Sequence, residues 1–276
     1  MFSFLCGKPE FDPAPNTFFS NYELLNKIGS GGYGTVYLCK SLSTGALHAV
    51  KIVHERRYRR CTWCARRGRD MPDEILLWEK TSHPSIVRLL DLYHEQEHWL
   101  AVMEYDAAYK DLYHTIAQCG TLSSTAARIV IRQVVQICTY LQSLGLDHRD
   151  IKDENILYNP ATGHIKLIDF GSASLLSDTL YTHFQGTELF TPPEYYVKGC
   201  YQSRPAAVWS IGCLAYTLLK GTTPFIQTEE IVKGKMVAWD FTEDSRARDF
   251  IEKCLMYNVK HRAEFNQLAK HAWFKN

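Results

Sequence analysis

The 276-residue sequence lacks a charge excess of either sign, an N-terminal signal segment and an apolar run of membrane length. Its 31 Lys and Arg residues balance 30 Asp and Glu residues, for a net charge of +1. Composition therefore gives no indication of a nucleic-acid or membrane partner. The longest apolar run, residues 205–219, contains Trp209 and Ser210 and is too short to cross a bilayer. It predicts a buried helix instead.

The sequence also shows no disulfide framework, since its nine cysteines are odd in number and scattered along the chain. Cys61 and Cys64 have the spacing of half a zinc site, but no second cysteine or histidine pair lies nearby. Without a signal peptide, the cysteines predict reduced thiols in an intracellular protein, cytoplasmic with the nucleus as an additional location. Apolar residues make up 46% and charged residues 22%, which is typical of a folded globular chain.

What the sequence does contain is a cluster of polar residues suited to phosphoryl transfer, at residues 148–155. Asp150 is a carboxylate able to accept a proton from an attacking hydroxyl, and Lys152 places a positive charge beside it. Asn155 and Asp169, the latter in an Asp-Phe-Gly sequence, offer oxygen ligands to a divalent cation. A base, a lysine and two metal ligands together favour phosphoryl transfer, which depends mainly on positioning and electrostatics.

A glycine-rich stretch lies upstream. Gly29, Gly31 and Gly34, followed by Val36, fit the spacing G-x-G-x-x-G-x-V. Without side chains, such a backbone can approach phosphates and donate its N–H groups. For the glycines alone, a flexible hairpin is an open alternative. A dinucleotide site would need a following helix, whereas the β-branched and aromatic residues at 35–39 predict a strand.

A lysine and an acidic helix follow in sequence. Lys51 ends an apolar strand, at the position of a phosphate-binding lysine. The alternative is a surface lysine whose aliphatic chain packs against apolar neighbours. Residues 72–80 predict a helix that begins at a proline and carries acidic residues in its first turn. Glu74 is the predicted partner of Lys51, with Asp73 and Glu79 as alternatives.

Apolar periodicity and turn residues predict the helices of the second half of the chain. One long amphipathic helix begins at Ser123 or Ser124 and ends at Gly145. Further helices are predicted at residues 205–220, 245–255 and 265–270.

These motifs, with a Pro-Pro-Glu sequence ending at Glu194 and with Arg262 downstream, resemble those of eukaryotic Ser/Thr protein kinases over about residues 22–274. The resemblance implies an α+β, bilobal protein kinase fold, with a small antiparallel β lobe carrying one helix and a larger, mainly α-helical lobe. It also implies that Arg262 pairs with Glu194. The implied segments are an irregular leader at 1–21 and a kinase domain at 22–276, divided into a small lobe at 22–104, a hinge at about 104–109 and a large lobe at 110–276.

The resemblance further implies binding of ATP with Mg²⁺, Mn²⁺ being an alternative ion. The catalytic residues implied are Asp150, Lys152, Asn155, Lys51, Glu74 and Thr187. The ATP-binding residues implied are Gly29, Ser30, Gly31, Gly32, Tyr33, Gly34, Val36, Ala49, Lys51, Glu104, Asp106, Leu157 and Asp169. The implied metal ligands are Asn155 and Asp169, and the implied substrate-binding residues are Asp111, Asp153 and Glu154.

The chain is most similar to the Pim family, within the calmodulin-dependent-kinase-like group, which shares Ala207 where most kinases have an aspartate. It departs from that family at Asp106, where Pim kinases have a proline, so an N–H able to bond adenine is restored. The irregular residues from Gly171 to the Pro-Pro-Glu sequence correspond to the activation segment of kinases. His183 and Gln185 replace acidic residues of this segment, which leaves activity without phosphorylation in doubt. His114 replaces an acidic residue that contacts substrate arginines.

The expected function is transfer of the ATP γ-phosphoryl group to Ser or Thr in proteins with basic residues N-terminal to the target, by a monomer. The alternative is a pseudokinase scaffold that binds nucleotide without efficient transfer, but its usual signature is loss of the lysine, the base or the metal aspartate. A small-molecule kinase fits poorly with a complete activation segment. No nucleic-acid or membrane partner is expected.

Overall fold

The structure, a computed structural model, describes residues 17–31, 34–58, 61–64, 69–177, 179–237 and 244–275. The helices are α1 (Phe18–Asn21), α2 (Asp73–Glu79), α3 (Leu112–Cys119), α4 (Ser124–Ser143), α5 (Pro193–Lys198), α6 (Ser203–Lys220), α7 (Thr228–Lys233), α8 (Ser245–Cys254) and α9 (Phe265–Ala269). The strands are β1 (Tyr22–Gly31), β2 (Gly34–Ser41), β3 (Leu47–His54), β4 (Cys61–Cys64), β5 (Arg69–Pro72), β6 (Leu89–Glu95), β7 (His98–Glu104), β8 (Lys110–Asp111), β9 (Leu146–Asp147), β10 (Ile156–Tyr158), β11 (Ile165–Leu167) and β12 (Ser174–Leu175).

The chain is divided into two compact units. The first contains residues up to Cys61 together with Leu89–Asp106, and its five antiparallel strands lie in the order β1-β2-β3-β7-β6. Val50 and Val102, directly opposite each other on β3 and β7, are fully buried on one face of the sheet. The predicted antiparallel β part of the fold is therefore present. The lobe boundaries inferred from the sequence stay a prediction.

The leader predicted at residues 1–21 is helical, not irregular, over Phe18–Asn21. Phe18 is fully buried and stacks on Tyr22 with ring centroids 5.4 Å apart, and its backbone N–H donates to the carboxylate of Glu95. The apolar contact fixes these residues against the sheet, because burial of an aromatic ring is strongly favourable. A single turn carries no periodic pattern that the sequence could reveal. Residues 1–16 of the leader lie outside the described residues.

The second unit contains Thr62–Arg88 and Ala107–Asn276 and is mainly helical. Its centre is α6, in which nearly every residue from Ala206 to Leu218 is buried, as its continuous apolar run predicts. Packing is close at Gly212, where an added Cβ would lie 2.6 Å from Cys254 Cβ on α8. The helix begins two residues before Pro205, since proline is tolerated in a first turn.

The other predicted helices agree with the structure within two residues at each end. Ser123 caps α4 by accepting the Ala126 N–H, and Gly145 follows the helix with a φ of 69°. The helix predicted at 72–80 is α2, which packs within the second unit through Trp78. The indole N–H of Trp78 donates to the Val87 carbonyl, and its ring stacks on Phe170 at 6.2 Å. Across the described ranges, no helix is long and apolar enough to cross a membrane.

Candidate active site

The loop at residues 148–155 is held against the strand that leads to Asp169. The Ile168 N–H donates to the Asn155 carbonyl at 3.0 Å, and His148 Nε2 lies 3.0 Å from the Ile168 carbonyl. Burial lowers the pKa of His148, so its ring is neutral and the Nε2–H donates to the Ile168 carbonyl. Two predicted groups that are 14 residues apart in sequence, Asn155 and Asp169, are thereby brought together.

The carboxylate of Asp150 lies at the centre of a set of hydrogen bonds. Asn155 Nδ2 donates to Asp150 Oδ2 at 2.8 Å, and Lys152 Nζ lies 3.3 Å from the same oxygen. The hydroxyl of Thr187 donates to Asp150 Oδ1 at 3.4 Å. Four residues predicted to be catalytic therefore meet within the second unit, although Thr187 is 37 residues from Asp150 in sequence.

The ammonium of Lys152 contacts three side chains. It donates to Thr187 Oγ1 at 2.8 Å and forms ion pairs with Asp150 and, at 2.8 Å, with Glu154. Burial acts to lower the pKa of Lys152, but the bonds to Glu154 and Asp150 outweigh it, and the net shift is upward. The lysine is therefore charged at neutral pH, next to the carboxylate.

The two predicted metal ligands fit a hard divalent cation. The Asn155 Nδ2–H groups donate to the carbonyl and the carboxylate of Asp150, each at 2.8 Å, which leaves the amide oxygen as a ligand for a cation. Asp169 has a left-handed φ of 64°, and its Oδ1 accepts the Gly171 N–H at 3.1 Å. An amide oxygen and a carboxylate are ligands that suit Mg²⁺.

Arg149 is a functional candidate that the site prediction missed. Its guanidinium lies 4.4 Å from the centre of the Tyr181 ring and donates to the Tyr201 hydroxyl and to the His183 carbonyl. The backbone of Arg149 is in the left-handed region, with a φ of 65°. The sequence carries no signal for these contacts, because the aromatic partners are 32 and 52 residues away.

The first unit holds the predicted phosphate-binding strands. Gly29 lies opposite Val36, and Val36 lies opposite Lys51, so the glycine stretch and the lysine occupy three adjacent strands. At Gly34 (φ 148°) an added Cβ would lie 2.6 Å from the Ile52 carbonyl oxygen, so glycine is required there. Ser30 and Gly31 continue the hairpin. Two further predicted residues, Gly32 and Tyr33, lie outside the described residues.

The remaining predicted nucleotide contacts are divided between the two units. Ala49 is buried on β3. Glu104 ends β7, and Asp106 lies two residues further along the chain. Leu157 lies on β10 of the second unit. Glu74 is buried in the first turn of α2. The Lys51–Glu74 ion pair and the adenine contacts of these residues stay predictions.

The predicted substrate-binding carboxylates have different surroundings. Asp111 caps α3, and both its oxygens lie 2.8 Å from Nδ1 of His114. Burial raises the pKa of Asp153. Glu154 is exposed and paired with Lys152. Their contacts with a substrate stay predictions.

A buried ion pair supports the end of the activation segment. Arg262 donates to both carboxylate oxygens of Glu194, each at 2.8 Å, as the sequence resemblance implies. The guanidinium also donates to the Met256 and Pro205 carbonyls and lies 5.0 Å from the centre of the Trp209 ring. It therefore ties the loop before α9 to α5 and α6.

Comparison with known proteins leads to the class that the sequence motifs resemble, the protein kinases. The protein kinase domain family matches residues 22–274. The chain is 35% identical over 265 residues to serine/threonine-protein kinase pim-2 of Danio rerio, covering 93% of this chain and 85% of that protein. It is 36% identical over 263 residues to serine/threonine-protein kinase prk-2 of Caenorhabditis elegans, covering 94% of this chain and 59% of that protein. It is 31% identical over 271 residues to death-associated protein kinase 2 of Mus musculus, covering 91% and 71%.

The chain therefore belongs to the protein kinase family, and the predicted α+β kinase fold is confirmed. It is a serine/threonine protein kinase, an ATP-dependent transferase. The match to pim-2 and prk-2 confirms the resemblance to the Pim family, and the wider matches agree with the calmodulin-dependent-kinase-like group.

Proposed function

We propose that this kinase transfers the γ-phosphoryl group of ATP to Ser or Thr hydroxyls in proteins with arginines N-terminal to the target, with Asp150 as the base. The single observation that carries the proposal is the contact of Asp150 with Lys152, Asn155 and Thr187. A scaffold that had abandoned transfer would have no use for a charged lysine and a threonine directed at the same carboxylate.

In this proposal each group has one task. Asp150 orients the attacking hydroxyl and takes its proton as the bond to phosphorus forms. Lys152 stabilises the negative charge on the transferring group, and because it also binds Thr187 it holds the activation segment beside the base. Lys51, fixed by Glu74, binds the α- and β-phosphates, and the backbone of the glycine hairpin encloses the phosphates.

Asn155 and Asp169 are the residues that would hold Mg²⁺, with Mn²⁺ as an alternative. When bound, such an ion neutralises phosphate charge. The chain contributes the fixed direction of both oxygens: the Asn155 amide is oriented by Asp150, and Asp169 by the Gly171 N–H. Val36, Ala49 and Leu157 would surround adenine, with Glu104 and Asp106 bonding its edge.

Activity without activating phosphorylation is part of the proposal. Arg149 precedes the base directly, and its guanidinium already has an aromatic face and two hydrogen-bond acceptors from Tyr181, Tyr201 and His183. A cation engaged in this way needs no phosphate to order the segment around it. These contacts take the place of the acidic residues that the Pim family has at His183 and Gln185.

The test is transfer of radiolabelled phosphate from Mg-ATP to an arginine-rich Ser peptide by phosphatase-treated wild type. Transfer is expected from wild type and is expected to be lost in Lys51→Met and Asp150→Asn. If the phosphatase-treated wild type transfers no phosphate until an activating kinase is added, independence from phosphorylation is contradicted. If it transfers none with or without that kinase, and nucleotide still binds, transfer itself is contradicted and the scaffold is favoured.

A substitution at His114 tests the arginine preference. The His114 ring is largely exposed and bonds Asp111, so it occupies a carboxylate that would otherwise be available to substrate arginine. Replacement by glutamate removes this donor and adds a second carboxylate. We expect kcat/KM for an arginine-rich peptide to rise about 3–10-fold through KM, in keeping with the strength of exposed ion pairs.

The matched control is His261→Glu, which makes the same charge change at an exposed histidine before α9. It should leave kcat/KM unchanged. A peptide whose arginines are replaced by alanine should not distinguish His114→Glu from wild type. If both peptides gain equally, Asp111 has no part in arginine recognition.

A further inference from the structure

A buried carboxylate lies immediately before the loop at residues 148–155 and has no part in the chemistry proposed above. Asp147 ends β9 and is only 8% exposed. A carboxylate out of contact with water is costly unless its oxygens accept hydrogen bonds. Both oxygens of Asp147 do: Oδ1 accepts the Arg149 N–H at 3.3 Å, and Oδ2 accepts the Ser203 hydroxyl at the start of α6.

The residue that Asp147 bonds is also conformationally strained. Arg149 has a φ of 65°, a region that residues with a side chain adopt only where the surrounding structure holds them there. Its N–H donates to Asp147 Oδ1. Burial raises the pKa of the Asp147 carboxyl, and the positive charge of Arg149 acts against that shift. Arg149 shares a peptide bond with Asp150, so rotation about its backbone moves the base.

Asp147 faces α6 across a cavity of about 10 Å³, whose lining includes Arg149, Tyr201, Ser203, Ala207 and Ser210. The hydroxyl of Ser210 bonds the Ala206 carbonyl of its own helix instead of Asp147. Asp147 is thus the carboxylate at this junction that binds both the loop and α6. Its bond to Ser203 anchors the loop to the most buried helix of the unit.

We propose that Asp147 is a positioning residue for phosphoryl transfer, holding Arg149 in its left-handed conformation and thereby directing Asp150 at the substrate hydroxyl. The carboxylate acts through the backbone and touches neither ATP nor the acceptor. This inference rests on the proposed role of Asp150 as the base. It assigns Ser203 a supporting role, since that hydroxyl fixes the second oxygen of Asp147.

The test compares kcat and KM of Asp147→Ala, Asp147→Asn and Ser203→Ala, with Ser210→Ala as the matched control for loss of a buried hydroxyl. A misdirected base lowers kcat about 10–100-fold in Asp147→Ala, with KM for ATP and peptide unchanged. Asparagine keeps an oxygen for the Arg149 N–H and should recover most of kcat. Ser203→Ala should lower kcat about 3–10-fold, and Ser210→Ala should leave it unchanged.

A purely structural role would lower the unfolding midpoint of Asp147→Ala without changing kcat per folded molecule, and that result would overturn the proposal. If Asp147→Ala does not fold, equal kcat values for Ser203→Ala and Ser210→Ala would overturn it as well. An inactive wild type would contradict the proposed function. An active wild type with unaffected variants would contradict only the role of Asp147.

Discussion

Replacing Asp150 with asparagine should abolish most phosphoryl transfer, with a fall in kcat of about 10²–10⁴-fold. Asparagine has the same shape but a single acceptor oxygen, so it can accept either the Thr187 hydroxyl or the Asn155 amide N–H, and the other bond is lost. The Asn155 amide still donates to the backbone carbonyl of residue 150, so the loop should keep its conformation. The new asparagine has no proton affinity with which to act as a base, and it removes the charge that pairs with Lys152. Steady-state transfer to an arginine-rich peptide measures the loss.

Binding of a fluorescent nucleotide should remain near the wild-type value in Asp150→Asn, because the base contacts the acceptor side of the reaction. Asp70→Asn, the same change at an exposed aspartate on β5, is the matched control and should transfer phosphate normally. A kcat for Asp150→Asn within about threefold of wild type would exclude general-base catalysis by this residue.

Removing the Glu194 carboxylate should produce the largest loss of stability. Glu194→Ala leaves the Arg262 guanidinium, whose side chain is 0% exposed, without its anionic partner. Breaking a buried ion pair by removing one partner costs about 3–5 kcal/mol, since the remaining charge is neither paired nor hydrated. The remaining bonds of Arg262 to the Met256 and Pro205 carbonyls do not supply a counter-charge. Urea denaturation measures the change in the free energy of unfolding.

The control is Glu252→Ala on α8, which breaks an ion pair of the same 2.8 Å length between Arg248 and Glu252. Both side chains there are about half exposed, and an exposed pair is expected to contribute about 0–1 kcal/mol. Replacing both buried partners, as Glu194→Leu with Arg262→Met, should destabilise less than Glu194→Ala. Equal losses in the buried and the exposed single variants would show that burial does not control the strength of this pair.

The class of protein and its longer helices could be predicted from the amino-acid sequence. Helix α6 followed from a run with hardly a polar residue, and α4 from its cap at Ser123 and its apolar periodicity. Such signals are local, because a helix repeats every 3.6 residues and its ends carry their own capping residues. The chemical groups near Asp150 could be predicted for the same reason, since six consecutive residues, 150–155, contain the base, the lysine and the amide.

The distant residues that contact this loop could not be predicted from the sequence, because they are brought to it by the folding of the chain. The helical turn at Phe18 and the pairing of β9 with β12 extend over too few residues to produce a period. The contacts of Arg149 with Tyr181 and Tyr201, and the bond from Ser203 to Asp147, join segments 32–56 residues apart. Such pairs depend on how the helices and loops pack, and an aspartate in a sequence looks the same whether it is solvated or buried. The residue types were visible from the start, but burial and partners, which give Asp147 and Arg149 their roles, exist only in the folded chain.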